Sequence, residues 1–252
     1  MRNIRVSVAY DGTDFVGWQR QASGRSVQAA LEAALAEIHK QPLRIYGAGR
    51  TDSGVHAAGQ VFNFYSGLET IPAGRYASAL NRLLPSDVRA LESREAGEAF
   101  NARRDARIRE YRYYLYPGRL VPPWLRRYCW GTALPGLHGM NTMASFLTGV
   151  HDFSSFAAAG DTNPAKTKEI FSAGFYPESP FIVFRITGRA FLWRMVRNIV
   201  GTIMRLARDG AGAEVFRDIL EARESLHEGM SAPARGLFLH KVLYEDDART
   251  MY

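Results

Sequence analysis

The chain has 252 residues and a mass of 28.2 kDa, which fits one large domain or two smaller ones. With 46% hydrophobic and 23% charged residues, the composition excludes a disordered chain, and no apolar run reaches the ~18 residues of a membrane span. The single cysteine, Cys129, excludes an internal disulfide framework. The N-terminus has no apolar core of a secretory signal, so we expect a soluble, cytoplasmic protein with no membrane partner.

The first half of the chain alternates predicted strands and helices. Residues Ile4–Tyr10 alternate between apolar and polar, which predicts a half-buried strand. Ser26 is placed to cap a helix that ends before Pro42. The predicted elements that follow are a strand around Leu43–Tyr46, a strand around Gln60–Tyr65, a helix over Ala73–Leu84 and a strand around Val88–Glu92. This β-α-β-β-α-β order is that of ferredoxin-like units.

The second half repeats a similar mixture of elements. The predicted elements are a long strand Ile108–Tyr116, a helix Asn141–Leu147, paired strands Phe171–Tyr176 and Phe181–Ile186, helices Leu192–Leu206 and Ala213–Arg223, and a final strand Leu237–Tyr244. We therefore predict an α+β fold in which two ferredoxin-like-related subdomains, residues 1–105 and 106–252, carry antiparallel sheets that flank a central active-site cleft.

Positive charge is concentrated in one part of the chain. The formal net charge is +7, and residues 100–130 hold eight arginines, two acids and eight aromatic residues. Guanidinium groups neutralise phosphates and aromatic rings stack on unpaired bases, so this window favours a nucleic-acid partner. The window gives four candidate RNA contacts: Arg103, Arg104, Arg109 and Arg112. The alternative is a solvated basic strand whose tyrosines belong to the core. Strand alternation would put Tyr111 and Tyr113 on one face, and Arg112 and Tyr114 on the other.

Several cofactor signatures are missing from the sequence. There is no phosphate-binding Gly-x4-Gly-Lys-Ser/Thr motif, and the third glycine position of a dinucleotide fingerprint starting at Gly47 is Asp52. The six histidines include no His-x-x-x-His or His-x-His pair. We therefore expect neither a cofactor nor a metal.

A glycine-rich loop over residues 47–56 presents Arg50, Asp52 and His56 between two predicted strands. A carboxylate in such a loop can act as a nucleophile or general base, and the neighbouring arginine can hold a phosphate. The alternative is that Asp52 only accepts backbone N–H groups in an Asx turn. For His56, a structural role or an RNA contact is favoured over general base catalysis.

These residues resemble the TruA family of tRNA pseudouridine synthases. The matching motifs run in order from residue 10 to about residue 239: Tyr10-Asp11-Gly12-Thr13, Gly17-Trp18-Gln19-Arg20-Gln21, Gly47-Ala48-Gly49-Arg50-Thr51-Asp52, Gly54-Val55-His56-Ala57, Gly59-Gln60-Val61, Phe100-Asn101-Ala102-Arg103, Arg109-Glu110-Tyr111-Arg112-Tyr113, His151-Asp152-Phe153, Phe191-Leu192, Met195-Val196-Arg197-Asn198-Ile199-Val200-Gly201, Ala232-Pro233-Ala234 and Gly236-Leu237.

The resemblance implies a pseudouridine synthase fold and a role for each site residue. Asp52 would be the essential carboxylate that attacks the target uridine. Tyr111 would lie against the flipped base, Arg197 would pair with Asp52, Arg50 would contact the RNA, and Leu237 would pack on the uracil ring. From the residues alone, the alternative for Tyr111 is a core tyrosine, and the residue pattern around Arg197 favours a solvated residue on an amphipathic helix.

The resemblance also implies the reaction and its partners. Family members convert uridine to pseudouridine at positions 38, 39 and 40 of the tRNA anticodon stem-loop, as homodimers without cofactor or metal. The basic window alone would also suit a non-catalytic RNA-binding protein or RNA chaperone. A small-molecule hydrolase that uses a carboxylate is disfavoured, because the charge of the window would then have no purpose.

Overall fold

The computed structural model describes residues 1–224 and 231–248, and its fold is α+β. In chain order the elements are β1 (Arg2–Tyr10), α1 (Val27–His39), β2 (Tyr46–Gly47), β3 (His56–Ser66), α2 (Tyr76–Asn81), β4 (Val88–Ala96), β5 (Ile108–Pro117), β6 (Trp130–Thr132), α3 (Leu137–Ser145), β7 (Gly149–Asp152), β8 (Thr167–Glu178), β9 (Phe181–Gly188), α4 (Met195–Arg208), α5 (Ala213–Ala222), β10 (Leu237–Leu243) and α6 (Glu245–Ala248). None of the helices in these two ranges is both long and apolar enough to cross a membrane.

The chain divides into two compact units. Unit 1 comprises Met1–Arg107 and the segment that begins at Leu239, and unit 2 comprises Ile108–Phe238. The sequence-based division after residue 105 put all later residues into one subdomain, whereas the structure returns most of β10 to unit 1. It does so because β10 lies beside β3 in the sheet of that unit.

Unit 1 has the predicted β-α-β-β-α-β order. Its strands lie in the order β4-β1-β3-β10, and β2 pairs with β3. Both β3 and β4 run antiparallel to β1. Helix α1 begins as predicted, since the Ser26 hydroxyl accepts a hydrogen bond from the Ala29 N–H at 3.3 Å. Fully buried apolar side chains of the helix and the sheet form the core of the unit, among them Ile4, Val6, Leu31, Leu35, Phe62 and Phe64.

Two predicted elements of unit 1 are wrong in extent. The strand expected around Leu43–Tyr46 is only Tyr46–Gly47, because the Ile45 N–H donates to the Glu32 carboxylate at 3.2 Å instead of to a strand. The helix expected over Ala73–Leu84 is a 3₁₀ turn over Ala73–Arg75 followed by the short α2. It ends at Asn81, whose side-chain amide exchanges two hydrogen bonds with the backbone of Ala90 in β4, at 2.7 and 2.8 Å.

Unit 2 contains an antiparallel sheet in the order β5-β9-β8-β7. The predicted hairpin of β8 and β9 is confirmed. The predicted antiparallel pairing has one exception, since the short β6 runs parallel to β5. Strands β6 and β7 were not predicted, because three or four residues carry too little periodicity. Helix α4 begins at Met195 and not at Leu192, since Arg194 adopts a left-handed conformation with φ 60°.

Strand β5 separates its side chains onto two faces as predicted. Tyr111 and Tyr113 are buried, while Arg112 and Tyr114 are half-buried on the opposite face. Also on that opposite face, the Glu110 carboxylate accepts hydrogen bonds from Arg112 at 2.8 Å and from Arg185 at 2.9 Å. Burial acts to raise the pKa of Glu110, but the two guanidinium groups outweigh it and hold the pKa below the ordinary 4.5.

We expect Glu110→Gln to lower the free energy of unfolding by about 1–2 kcal/mol at pH 7, since charge-assisted hydrogen bonds are lost. A carboxylate with a lowered pKa stabilises the fold above its unfolded-state pKa, and this contribution disappears as the pH falls through the folded-state pKa. The difference between wild type and variant should therefore shrink below about pH 4.5. Urea unfolding of both proteins at pH 7 and pH 3.5 measures this difference in the free energy of unfolding. Glu178→Gln, at a more exposed carboxylate 3.6 Å from Arg112, is the control, and a difference that does not vary with pH would contradict the assignment.

Candidate functional site

The loop that carries Asp52 joins β2 to β3 in unit 1. At its start, the Ala48 N–H donates to the Val61 carbonyl at 2.8 Å, and the buried Gln60 amide donates to the Gly49 carbonyl at 3.0 Å. At its end, the Val55 N–H closes a turn on the Asp52 carbonyl at 3.1 Å. The start of the loop is therefore held by the strand that follows it, and its end is held by a turn within the loop.

Residues 10–21 contain the first two motifs of the resemblance and are here called the 10–21 motif. They hold the centre of this loop. The Tyr10 hydroxyl and the Thr51 hydroxyl share a buried hydrogen bond of 2.8 Å, and the Trp18 N–H donates to the Thr51 carbonyl at 3.1 Å. The Phe15 carbonyl accepts from the Gly54 N–H at 3.3 Å and from the Ser53 hydroxyl at 3.2 Å. Thr51 is buried by these contacts, while the next side chain, Asp52, remains partly exposed. A carboxylate on a rigid support with access to solvent is suited to act on a bound substrate.

His56 lies inside unit 1 and has a structural role. Its ring is 1% exposed, and Nδ1 lies 3.0 Å from the Gly12 N–H and 3.1 Å from the Asp11 carboxylate. A ring enclosed in this way links the two motifs and cannot reach RNA. Of the two roles predicted for His56, the geometry supports the structural one.

Three of the other predicted site residues lie in unit 2. Tyr111 packs edge-to-face against Phe191, with ring centroids 5.0 Å apart, and only 8% of the tyrosine is exposed. Arg197 is half-buried in the first turn of α4, where its Nε donates to the Ala232 carbonyl at 2.8 Å and its own carbonyl accepts from the Ala232 N–H at 3.0 Å. Leu237 is buried at the start of β10. Arg197 is thus anchored to the segment that leads to Leu237 and is not a freely solvated helix residue.

Tyr113 holds the segment over residues 233–236, a role that was not predicted from the sequence. Its hydroxyl, on a fully buried ring, donates to the Pro233 carbonyl at 2.8 Å. Gly236 lies directly on the ring, since a Cβ at that position would be 2.6 Å from the tyrosine. Burial raises the pKa of Tyr113 above its ordinary value, so the hydroxyl keeps its proton and remains a donor. Tyr113 therefore holds the segment between Ala232, which bonds Arg197, and Leu237.

We expect Tyr113→Phe to reduce kcat severalfold and to lower the free energy of unfolding by about 1 kcal/mol, because the Pro233 carbonyl loses its donor. A merely structural role would lower stability without changing kcat. Kinetics measured well below the melting temperature separate the two cases. Tyr65→Phe is a matched control, since it removes a hydroxyl that donates to the Glu98 carbonyl at 3.1 Å in an exposed part of unit 1.

The four predicted RNA contacts differ in their availability. Arg103 and Arg104 are exposed, although Arg104 also pairs with Asp105 at 2.9 Å. Arg109 is buried and donates to the Arg189 carbonyl. Arg112 lies between Glu110 and Glu178, at 2.8 and 3.6 Å. The structure therefore keeps two of the four at the surface and engages the other two inside unit 2. Arg50, from the Asp52 loop, is exposed.

No side-chain cluster in residues 1–224 and 231–248 offers three or more His, Cys, Asp or Glu groups that could hold a metal ion. The site residues present in these ranges supply a carboxylate, guanidinium groups and aromatic or aliphatic surfaces. Asp52 and Arg50 belong to unit 1, while Tyr111, Arg197 and Leu237 belong to unit 2. Guanidinium groups suit anionic groups, and aromatic rings suit planar ones.

Comparison with known proteins gives matches over both units. A family model described as tRNA pseudouridine synthase matches residues 6–103 and 143–245. A tRNA pseudouridine synthase A from Treponema denticola is 41% identical over 98% of this chain and 94% of the relative. Proteins of the same name from Anoxybacillus flavithermus and Borrelia turicatae are 41% and 36% identical, over 98% and 97% of this chain and 100% of each relative. The matches span the Asp52 loop as well as Arg197 and Leu237, and they establish that the chain belongs to the tRNA pseudouridine synthase family, a family of isomerases.

Proposed function

We propose that this enzyme converts uridine to pseudouridine at positions 38, 39 and 40 of the tRNA anticodon stem-loop. The observation that carries the proposal is the partly exposed Asp52, which follows the buried Thr51 on a loop held by the 10–21 motif. The family match supports a tRNA substrate, and the resemblance stated above supports the anticodon stem-loop.

The isomerisation of uridine requires a carboxylate and a closely fitting pocket. A base inside a helix cannot turn, so the target nucleotide first leaves the stack, at a cost of a few kcal/mol. The N1–C1′ bond then breaks in a step that depends on Asp52, the uracil rotates, and C5 bonds to C1′. N1 takes up a proton and the C5 hydrogen is released to solvent. The isomer has the same composition as the substrate, so the reaction balances without an oxidant, a reductant or a group donor, and we propose that it uses no cofactor.

We assign the remaining site residues to substrate binding. Tyr111 and Leu237 have buried apolar surfaces suited to a uracil ring. The guanidinium of Arg197 is held in place, because its Nε donates a hydrogen bond to the Ala232 carbonyl. Exposed Arg50, Arg103 and Arg104 are suited to RNA phosphates. The proposed roles of Arg109 and Arg112 in RNA binding are indirect, because both guanidiniums are engaged with protein groups. We further propose that the enzyme works as a cytoplasmic homodimer, as the resemblance implies.

Tritium release tests the proposal. The enzyme is incubated with unmodified tRNA that carries [5-³H]uridine, and we expect one tritium released per modified uridine. Transcripts in which U38, U39 or U40 is replaced by cytidine should each release less tritium, and a transcript without all three should release none. If tRNA binds but no tritium is released, the protein is a non-catalytic RNA-binding protein or RNA chaperone.

A further inference from the structure

The loop over residues 118–128, here called the Trp124 loop, belongs to the basic window but to none of the roles assigned above. It leaves β5 and returns at β6 in unit 2. Between Glu110 and Asp152 the sequence has no acidic residue, while it has four arginines: Arg112, Arg119, Arg126 and Arg127. The loop therefore lies in a stretch whose positive charge is not balanced along the chain.

Two apolar side chains of this loop point to solvent. Trp124 is 74% exposed and Leu120 is 92% exposed. Trp130, six residues later, instead packs edge-to-face on Tyr113 with ring centroids 6.3 Å apart and lies 5.3 Å from the Arg208 guanidinium. Core packing thus explains Trp130 and leaves the exposure of Trp124 unexplained. Tryptophan and arginine are both enriched at binding surfaces relative to the rest of a protein surface.

The backbone holds the loop in a defined shape. Two successive turns close through the Leu125 N–H on the Pro122 carbonyl at 2.9 Å and the Tyr128 N–H on the Leu125 carbonyl at 2.8 Å. Trp124 is the third residue of the first turn and Arg126 the second residue of the next. The base of the loop is fixed by the Gly118 N–H, which donates to the Thr132 carbonyl at 2.9 Å. A surface that is already ordered loses little conformational entropy when it binds.

We infer that the Trp124 loop is a second tRNA-binding surface, where Trp124 stacks on an unpaired base and Arg119 and Arg126 contact phosphates. Both arginines are exposed. The inference rests on the tRNA substrate of the proposed function. Charge decides between the possible occupants: the same loop of a second copy would bring its own arginines against these and repel them, whereas RNA brings one phosphate per nucleotide. Aromatic residues between arginines are the usual platform for single-stranded RNA.

Equilibrium binding of an unmodified tRNA transcript tests the stacking. Trp124→Ala should weaken the affinity about fivefold or more, the usual loss when one base-stacking aromatic is removed. Trp124→Phe, which keeps a ring, should recover most of the affinity. Leu91→Ala is the matched control, because Leu91 is an exposed apolar residue in β4 of unit 1, and it should bind as wild type does.

The salt dependence of the same binding tests the phosphate contacts. Arg126→Ala should reduce the slope of log affinity against log salt by about 0.7–0.9, as for the loss of one phosphate contact. Arg217→Ala, an exposed arginine of α5 paired with Glu214, should leave the slope unchanged.

Unchanged affinity in Trp124→Ala together with an unchanged slope in Arg126→Ala would overturn the inference. If Trp124→Ala instead lowered the mass of the protein in sedimentation at unchanged tRNA affinity, the surface would serve self-association and the inference would again be wrong. Binding is measured independently of tritium release. Failure of the proposed reaction with these binding effects intact would refute the proposed function alone.

Discussion

Asp52→Asn should abolish tritium release, with a loss of at least about 10³-fold in turnover, while the affinity for tRNA changes less than about threefold. The amide has the same shape as the carboxylate but neither its charge nor its nucleophilicity, so the loop should keep its hydrogen bonds through Thr51 and Val55. Groups that act on the reacting atoms contribute mainly to the transition state, and their loss appears in kcat more than in substrate binding. Single-turnover tritium release and equilibrium binding on the same tRNA measure the two effects separately.

A matched control distinguishes the role of Asp52 from a general effect of removing a carboxylate. Asp218→Asn changes an exposed residue of α5 and should retain the activity of wild type. If Asp52→Asn kept a tenth or more of the wild-type turnover, the carboxylate would not be essential and Asp52 would be a turn residue. If binding and turnover were lost together while the melting temperature stayed the same, Asp52 would act in RNA binding and not in the reaction.

Much of the secondary structure could be predicted because local patterns determine it. The helix after Ser26 begins where the serine can cap it, and the alternation in β5 separates Tyr113 from Arg112 as expected. The return of β10 to unit 1 could not be predicted, since strand pairing depends on residues far apart in sequence. The strand around Leu43–Tyr46 failed for a related reason, because the Glu32 side chain of α1 takes the Ile45 N–H.

The chemistry of the candidate site stays a prediction, whereas the contacts that support its residues could not be predicted from the sequence. The motif around Asp52 and the resemblance predict which groups react, but nothing local to Tyr113 indicates that its hydroxyl reaches Pro233, 120 residues later. The number of arginines in the basic window also does not distinguish exposed side chains from those that bind other protein groups. In the structure Arg109 and Arg112 are occupied by protein groups, whereas Arg119 and Arg126 are exposed. The burial and the hydrogen-bond partners of each arginine determine whether it can bind RNA, and neither can be derived from a single sequence.

Gly17→Ala should lower both the stability of unit 1 and the rate of the reaction, although Gly17 itself offers no chemical group. Gly17 has φ +117°, a conformation that alanine adopts only with strain, and a Cβ there would be 2.7 Å from the Thr51 carbonyl oxygen. The strained backbone costs about 1–3 kcal/mol, equivalent to a fall of several degrees in melting temperature. The clash is relieved when residue 17 or the Thr51 carbonyl before Asp52 moves, and either movement disturbs the hydrogen bond from the Trp18 N–H to that carbonyl. A displacement of a catalytic group near 1 Å can reduce the rate about 10²-fold.

Thermal unfolding and single-turnover kinetics of the variant test this coupling, with kinetics recorded well below the melting temperature. Gly97→Ala is the control, because a Cβ at Gly97 meets no atom within 4 Å and should change neither property. Thr51→Ala removes the hydroxyl bonded to Tyr10 without any clash and should lower kcat less than Gly17→Ala does. If Gly17→Ala were less stable and yet reacted at the wild-type rate, the 10–21 motif would support the fold without positioning Asp52. The largest loss of rate in Gly17→Ala, a smaller loss in Thr51→Ala and none in Gly97→Ala would show that catalysis depends on the position of the Thr51 carbonyl.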